Sequence, residues 1–285
     1  MKRFYCPKCK PAELAIDYVM KRHCQVGGFC FYRLEEPNGS DTCFALSILH
    51  LLGIDFRDDN TLRYLINLQS KDGSYHSIFT AYYAIKGLYF LEEKPEYDPT
   101  EYIIKNIGNY KFNIDRVPAE VISIFKILYC LVDLCSVLKI KIAHEIKHDI
   151  VNSILSFKNE DTGFGYIRST LLETSQALAT LEWLDFPVDA LNTEDFIRKC
   201  EVPSFGFTGI PNTSLFYIEH IYGGLVASNI MSYKPRYTGQ CADFVRYCQN
   251  NNGGFSRGTY GGISTIENTY YAVHSLSLLS GLKHR

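Results

Sequence analysis

A Gly-aromatic turn recurs six times along this 285-residue chain, and it constrains the fold more than any other feature. The turn aromatics are Phe29 (QVGGF), Tyr75 (QSKDGSY), Phe112 (YKF), Phe164 (NEDTGF), Phe207 (SFGF) and Phe255 (QNNNGGF), spaced by 46, 37, 52, 43 and 48 residues. A unit of that length holds two helices, and such units bury their apolar faces only by stacking on their neighbours. Six units fill the chain and leave no linker long enough to divide it, so one domain over residues 1–285 is expected.

Each turn leads into an apolar helical pattern: DTCFALSIL from Asp41, TAYYAIKGL from Thr80, AEVISIFKI from Ala119, ETSQALATL from Glu173, SLFYIEHIY from Ser214 and NTYYAVHSL from Asn268. Their apolar residues recur at helical spacing, and small Ala, Ser and Gly positions let helices approach closely. The helices that precede the turns start at cap-like residues: Asp58 and Asp59, Asp98 before Pro99, and Thr193. Strand periodicity is almost absent. The pattern predicts an all-α fold, an (α/α)6 toroid of six helical hairpins with an apolar inner ring and an amphipathic outer ring. A bent solenoid also satisfies a repeat, but neither end carries a polar capping unit, which favours closure.

Composition removes several function classes. A formal net charge of −2 with 46% hydrophobic residues excludes disorder and argues against a general nucleic-acid binder. The most apolar stretch, Val121–Cys135, is broken by Lys126 and Asp133, so no membrane span is expected. The N-terminal MKRFYCPKCKPAEL lacks the apolar core of a secretory signal. Of ten cysteines, Cys43, Cys130 and Cys135 sit inside apolar helical patterns and read as buried thiols of a reducing, cytoplasmic setting. Twenty-one Tyr and 18 Phe accompany one Trp, which fits either a large aromatic core or an aromatic-lined cavity.

Gln, a short polar spacer, Gly-Gly-aromatic and then Asp/Asn-Thr-x-x-Ala-Leu stand together in QNNNGGFSRGTYGGISTIENTYYAVHSLSLL (249–279). The combination recurs in QSKDGSYHSIFTAYYAIKGL (69–88) and QVGGFCFYRLEEPNGSDTCFALSILHLLG (25–53). It resembles the repeat of the prenyltransferase and squalene-cyclase family. The resemblance spans nearly the whole chain and implies the α/α toroid of protein prenyltransferase β subunits and class II terpene cyclases. One toroid hosts several chemistries, so the site residues decide function.

The resemblance places the zinc ligands of the protein prenyltransferases (an Asp, a Cys two residues on, and a His) at Asn212, Ser214 and Asn268. None of these is a ligand of that type, so a lumen without catalytic zinc is expected. It places the proton donor of the cyclases at Ser40, with Asp41 keeping only the last acidic position of their motif. The basic turn residues Lys111, Arg116, Arg168 and Arg257 do not match the diphosphate clamp of the transferases in type or spacing.

Read by themselves, Asp41, Thr80, Ala119, Glu173, Ser214 and Asn268 occupy one level near the mouth of a closed ring. Asp41 reads as an N-cap or a catalytic carboxyl, and Glu173, deeper in its apolar run, is the stronger acid–base candidate. Three residues further on, Phe44, Tyr83, Ile122, Gln176, Tyr217 and Tyr271 form a second level. That level is either core or a wall suited to an isoprenoid chain, and Phe44, Tyr83, Gln176, Tyr217 and Tyr271 of it, with Asn268, make up the expected substrate-binding set. At the N-terminus, Cys6 and Cys9 of CPKC join His23 and Cys24 (or Cys30) as a candidate structural zinc site, against a reading as free thiols. No other cofactor is expected.

Two functions follow. One is an isoprenoid-handling protein, catalytic or not, that binds an apolar ligand in an aromatic cavity. The other is a non-catalytic toroid that binds a lipid or a protein tail. A carbohydrate enzyme ranks behind both, since Trp183 is the one tryptophan available to line a sugar site. The resemblance also implies a helical partner subunit, as prenyltransferase β subunits have.

Overall fold

The computed structural model describes residues 10–31, 36–109 and 123–282. Phe112, Ala119, Ile122, Lys111, Arg116, Cys6 and Cys9 lie outside them. The outer helices are α1 (Lys10–Met20), α3 (Asp59–Ile66), α5 (Thr100–Asn109), α7 (His144–Leu155), α9 (Glu194–Cys200) and α11 (Thr238–Tyr247). The inner helices are α2 (Gly39–Leu51), α4 (Ile78–Phe90), α6 (Ile124–Leu138), α8 (Leu171–Trp183), α10 (Ile218–Ile230) and α12 (Ile266–Leu282). Packing runs α2–α4–α6–α8–α10–α12 and returns from α12 to α2, so the inner ring closes. Each inner helix is apolar on most faces because one side meets the lumen and the others meet neighbouring helices. The outer ones bury a single stripe. No helix among the described residues is long and apolar enough to cross a membrane.

The caps explain where the inner helices begin. Asn38 accepts the Asp41 N–H, Ser77 the Thr80 N–H, Thr170 the Glu173 N–H and Thr265 the Asn268 N–H. Each satisfies one of the amide donors that a helix start leaves orphaned. Asp41 is therefore not the N-cap of α2. It lies in the first turn, and its carboxylate accepts from the Asn38 side-chain amide. On the outer ring Asp58 caps α3 through the Thr61 N–H at 2.7 Å. Thr193 precedes α9 without a side-chain cap, and its buried hydroxyl has no partner among the described residues.

The repeat signature has a physical basis. The turn aromatic folds back on the end of its outer helix, giving isolated bridges between His23 and Phe29, Gln69 and Tyr75, Lys158 and Phe164, and Gln249 and Phe255. In the fifth unit this contact lengthens into β1 (Glu201–Val202) paired antiparallel with β2 (Gly206–Phe207). The amide N–H groups of Phe29, Phe164 and Phe255 donate to the hydroxyls of Thr42, Thr174 and Thr269 at 2.9, 3.0 and 3.1 Å. The repeat's Asp/Asn-Thr element is thus a buried anchor for the turn. The repeat's Gln stitches outer helices together: Gln69 Nε2 donates to the Tyr97 carbonyl, and Gln249 Nε2 to the Pro11 carbonyl, each at 2.8 Å. The second of these, with Tyr18 Oη donating to the Ser264 carbonyl at 2.7 Å, ties the last unit to the first.

Two registers differ from the sequence expectation. The fifth inner helix starts at Ile218 rather than near Ser214. Before it, the Thr208 hydroxyl lies 2.6 Å from the Thr213 hydroxyl and 3.3 Å from the Leu215 carbonyl, so polar contacts hold the preceding loop out of helix. The third inner helix starts at Ile124 rather than at Ala119. Apolar periodicity locates a helix but not its first residue, which the caps and loop contacts decide.

Candidate functional site

The six inner helices surround a cavity at the level of their second turn. Phe44 (α2), Tyr83 (α4), Tyr129 (α6), Gln176 (α8), Tyr222 (α10) and Tyr271 (α12) each reach it, so every inner helix supplies wall. Tyr82, Tyr270, Lys126 and Glu267 add to the lining. The cavity measures about 80 Å³, room for roughly five to eight waters at about 10–15 Å³ each.

The rings stand edge to face and tilted, as their quadrupoles prefer. Phe44 lies 5.1 Å from Tyr270 and 5.7 Å from Tyr83, and Tyr222 lies 4.9 Å from Tyr271. The wall is not purely apolar. It carries the hydroxyls of Tyr82, Tyr129, Tyr222 and Tyr270, each acting electrostatically on the next. The Tyr270 hydroxyl then meets His274 Nδ1 at 3.1 Å. Burial drives the Tyr82, Tyr129 and Tyr270 hydroxyls far above the usual phenol range, so they stay protonated donors. Burial, with Lys86 nearby, lowers the His274 imidazole to about 4. It is therefore a neutral hydrogen-bonding group at ordinary pH. Below it Lys86 Nζ stands 2.9 Å from Asp133 Oδ2, a paired charge that the low-dielectric interior requires.

The expected wall residues Phe44, Tyr83, Gln176 and Tyr271 do come together. Tyr217 does not join them. The late start of α10 leaves it at the cap, under the Arg257 guanidinium at 4.0 Å and beside His220 at 5.3 Å, and Tyr222 takes its place in the wall. Tyr129 escaped detection because the third unit was aligned one helical stretch too early. Tyr82 and Tyr270 were visible as the neighbours of Tyr83 and Tyr271 in the two Tyr-Tyr pairs, and two adjacent residues of one helix can both edge a wide lumen.

At the mouth, Glu173 is held by two hydroxyls: Ser123 Oγ donates to Oε1 at 2.8 Å and Thr170 Oγ1 to Oε2 at 2.9 Å. These contacts join the first turns of α6 and α8. Asn268 is half-buried in the first turn of α12. Burial raises the Asp41 carboxyl above its ordinary value, its bond from Asn38 lowers it, and the nearby Glu267 charge raises it again. Tyr271 Oη donates to Glu267 Oε1 at 3.0 Å.

The zinc positions implied by the resemblance do not fit that ion. Asn212 sits exposed in a turn at φ 61°, Ser214 is exposed in the loop before α10, and Asn268 offers an amide. Among the described residues no group of three or more His, Cys, Asp and Glu side chains could hold a metal. Near the N-terminus, His23 Nε2 meets Asp58 Oδ2 at 3.1 Å and Thr61 Oγ1 at 3.3 Å, with its ring packed on Phe29 and Phe56. Burial pushes the Cys24 thiol up to about 12. Cys24 and Cys30 both donate to the Arg22 carbonyl, beyond the far end of α1. Cys6 and Cys9, the other members of the candidate structural site, lie outside the described residues.

A family model for the prenyltransferase alpha-alpha toroid domain matches residues 6–91 and 101–285. No curated protein matches the chain. Among solved structures, the Candida albicans protein geranylgeranyltransferase-I complexed with GGPP is 18% identical. That likeness covers 86% of this chain and 85% of the other at a TM-score of 0.64. A protein from Actinoplanes is 10% identical over 95% of this chain and 99% of its own, at a TM-score of 0.56. At such identities the likeness concerns the fold.

Proposed function

The chain belongs to the prenyltransferase alpha-alpha toroid family, and from that premise we propose that its lumen binds an isoprenoid or another apolar chain against a wall of aromatic rings. The observation that carries the reading is the lining itself: Phe44, Tyr82, Tyr83, Tyr129, Tyr222, Tyr270 and Tyr271 converge from five of the six inner helices on one cavity. Ordinary core packing asks for no such opening. The fold neighbour whose structure holds GGPP supports the ligand class by analogy.

Burying a prenyl chain against these rings contributes several kcal/mol at about 25 cal/mol per Å² of apolar surface, less the cost of association. The tyrosine hydroxyls and Gln176 give the wall fixed hydrogen-bonding points, so they orient a ligand as well as contact it. We propose that binding proceeds without a zinc ion in the lumen, since Asn212, Ser214 and Asn268 supply no thiolate, imidazole or carboxylate. The buried thiols fit a reducing compartment, and a cytoplasmic location is proposed on that ground.

Catalysis is a second reading, favoured by Asp41. Its half-buried carboxyl is displaced upward, chiefly by burial, as a proton donor needs. Glu173, with both oxygens accepting hydroxyl bonds, is better placed to join α6 to α8 than to deliver a proton.

Titration with farnesol and geranylgeraniol tests the first reading. Tyr271→Ala is expected to weaken binding roughly tenfold, about 1.4 kcal/mol. Tyr217→Ala, outside the lumen, is expected to leave affinity within a factor of about two. Equal loss in both variants, or no binding by the unmodified protein at tens of micromolar, overturns it. Asp41→Asn separates a catalyst, which loses turnover, from a binder, which has none to lose.

A further inference from the structure

The mouth of the lumen carries a charge pattern that bears on the ligand's head group. The inference rests on reading the lumen as a ligand site. Carboxylates stand on the first turns of four consecutive inner helices: Glu173 on α8, Glu219 on α10, Glu267 on α12 and Asp41 on α2. The opposing cations are Lys126, Arg257 and Arg22, the last lying 3.5 Å over the Tyr18 ring with its charge acting on Asp41. Arg257 is occupied: its Nε lies 2.6 Å from Glu219 Oε1 and its guanidinium covers Tyr217. Glu173 is occupied by its two hydroxyl donors. Lys126 lines the lumen from α6, across the ring from α12, with Nζ 5.6 Å over the Phe79 ring. His220 is kept toward its neutral form by burial, and Lys86 is paired with Asp133 deeper down.

What remains is Glu267. Asp41, on the adjoining helix α2, already accepts from the Asn38 amide and has the Arg22 charge near it. Glu267 lines the cavity and is steadied by the Tyr271 hydroxyl. The rings of the second turn lie beneath it: Phe44 is 5.7 Å from Tyr83 and 6.4 Å from Tyr271. Ring faces and carboxylates attract the same kind of charge. A cation gains from the ring quadrupoles and from Glu267 together. A diphosphate, carrying about three negative charges, meets that carboxylate with Lys126 as the lining cation to offset it. We infer that this site takes an organic ammonium head group, held between Glu267 and the rings of Phe44, Tyr83 and Tyr271, and that it discriminates against a diphosphate.

The experiment compares one chain with three heads: farnesylamine, farnesol and farnesyl diphosphate, by calorimetric titration at neutral pH. Farnesylamine is expected to bind about tenfold tighter than farnesol, and the diphosphate more weakly than farnesol. In Glu267→Gln the advantage of the amine is expected to shrink to about twofold while farnesol affinity holds, which a variant that merely unsettled the fold could not produce. A diphosphate that binds tightest, or an amine no better than the alcohol, overturns the inference. Failure of farnesol itself would count against the apolar-chain reading, and tetramethylammonium and inorganic pyrophosphate then probe the head-group site alone. A rise in melting temperature with the first and not the second supports the ammonium site, and the reverse, or no rise with either, overturns it.

Discussion

Three fully buried threonines, Thr42, Thr174 and Thr269, decide whether the Gly-aromatic turns hold. Each hydroxyl takes the amide N–H of a turn aromatic, and the bond at Thr174 is 3.0 Å long. Thr174→Val keeps the shape and strands the Phe164 N–H, so a loss of about 1–3 kcal/mol is expected in urea unfolding. Thr180→Val is the matched control. Its hydroxyl is equally buried but donates back to the Gln176 carbonyl of its own helix, so a loss below about 1 kcal/mol is expected. Equal costs at the two sites would sink the anchor role. The Thr of Asp/Asn-Thr was legible in the sequence as a repeated letter. Its partner was not, because the turn that supplies the N–H lies 10 to 14 residues away and meets it only in the folded unit.

Turns between elements are tested by glycines whose surroundings differ. Gly253 has φ +88°, and a Cβ there would lie 2.1 Å from the Leu14 carbonyl oxygen of α1. Backbone cannot move aside cheaply, so Gly253→Ala is expected to cost roughly 3 kcal/mol or more and to loosen the seam between the last unit and the first. Gly239, in the first turn of α11, has nothing within 4 Å of an added Cβ and no positive φ. Gly239→Ala is expected to stabilise by about 0.5 kcal/mol through helix propensity alone. Paired melting curves check both, and a Gly253→Ala protein as stable as the parent would show that the close approach of the Gly253 turn to α1 carries no weight. At this scale the sequence read helix type and order correctly. It misplaced α6 and α10, because loops of different length hide the register of a degenerate repeat. Tyr217 entered the expected wall, and Tyr129 and Tyr222 were left out, for that reason.

A ring differs from an open array in having no end from which to unfold. Here α12 packs on α2 and on α1, and the Gln249–Pro11 and Tyr18–Ser264 bonds cross the seam. Trp183, at the end of α8 and 5.0 Å from the Tyr129 ring, reports on the side of the ring away from that seam. Its fluorescence and the far-ultraviolet circular dichroism are expected to give one coincident urea transition. An early loss of helix with Trp183 still buried would indicate the piecewise unfolding of a linear array.

Period and composition alone determined the class and the count of hairpins, since helical spacing and repeat length are local properties of the chain. Asp41, Phe44, Tyr83, Gln176 and Tyr271 were placed from them because the caps of α2, α4, α8 and α12 stand at equivalent points of the repeat. Only the tertiary structure decided which side chains share the lumen with them. The wall tyrosines Tyr82, Tyr129, Tyr222 and Tyr270 come from four helices, the Arg257–Glu219 pair joins two units, and the Glu267 charge reaches Asp41 across the ring's closure. Such groupings depend on distances between residues far apart in the chain, and charge and hydrogen bonding act through space rather than along the sequence.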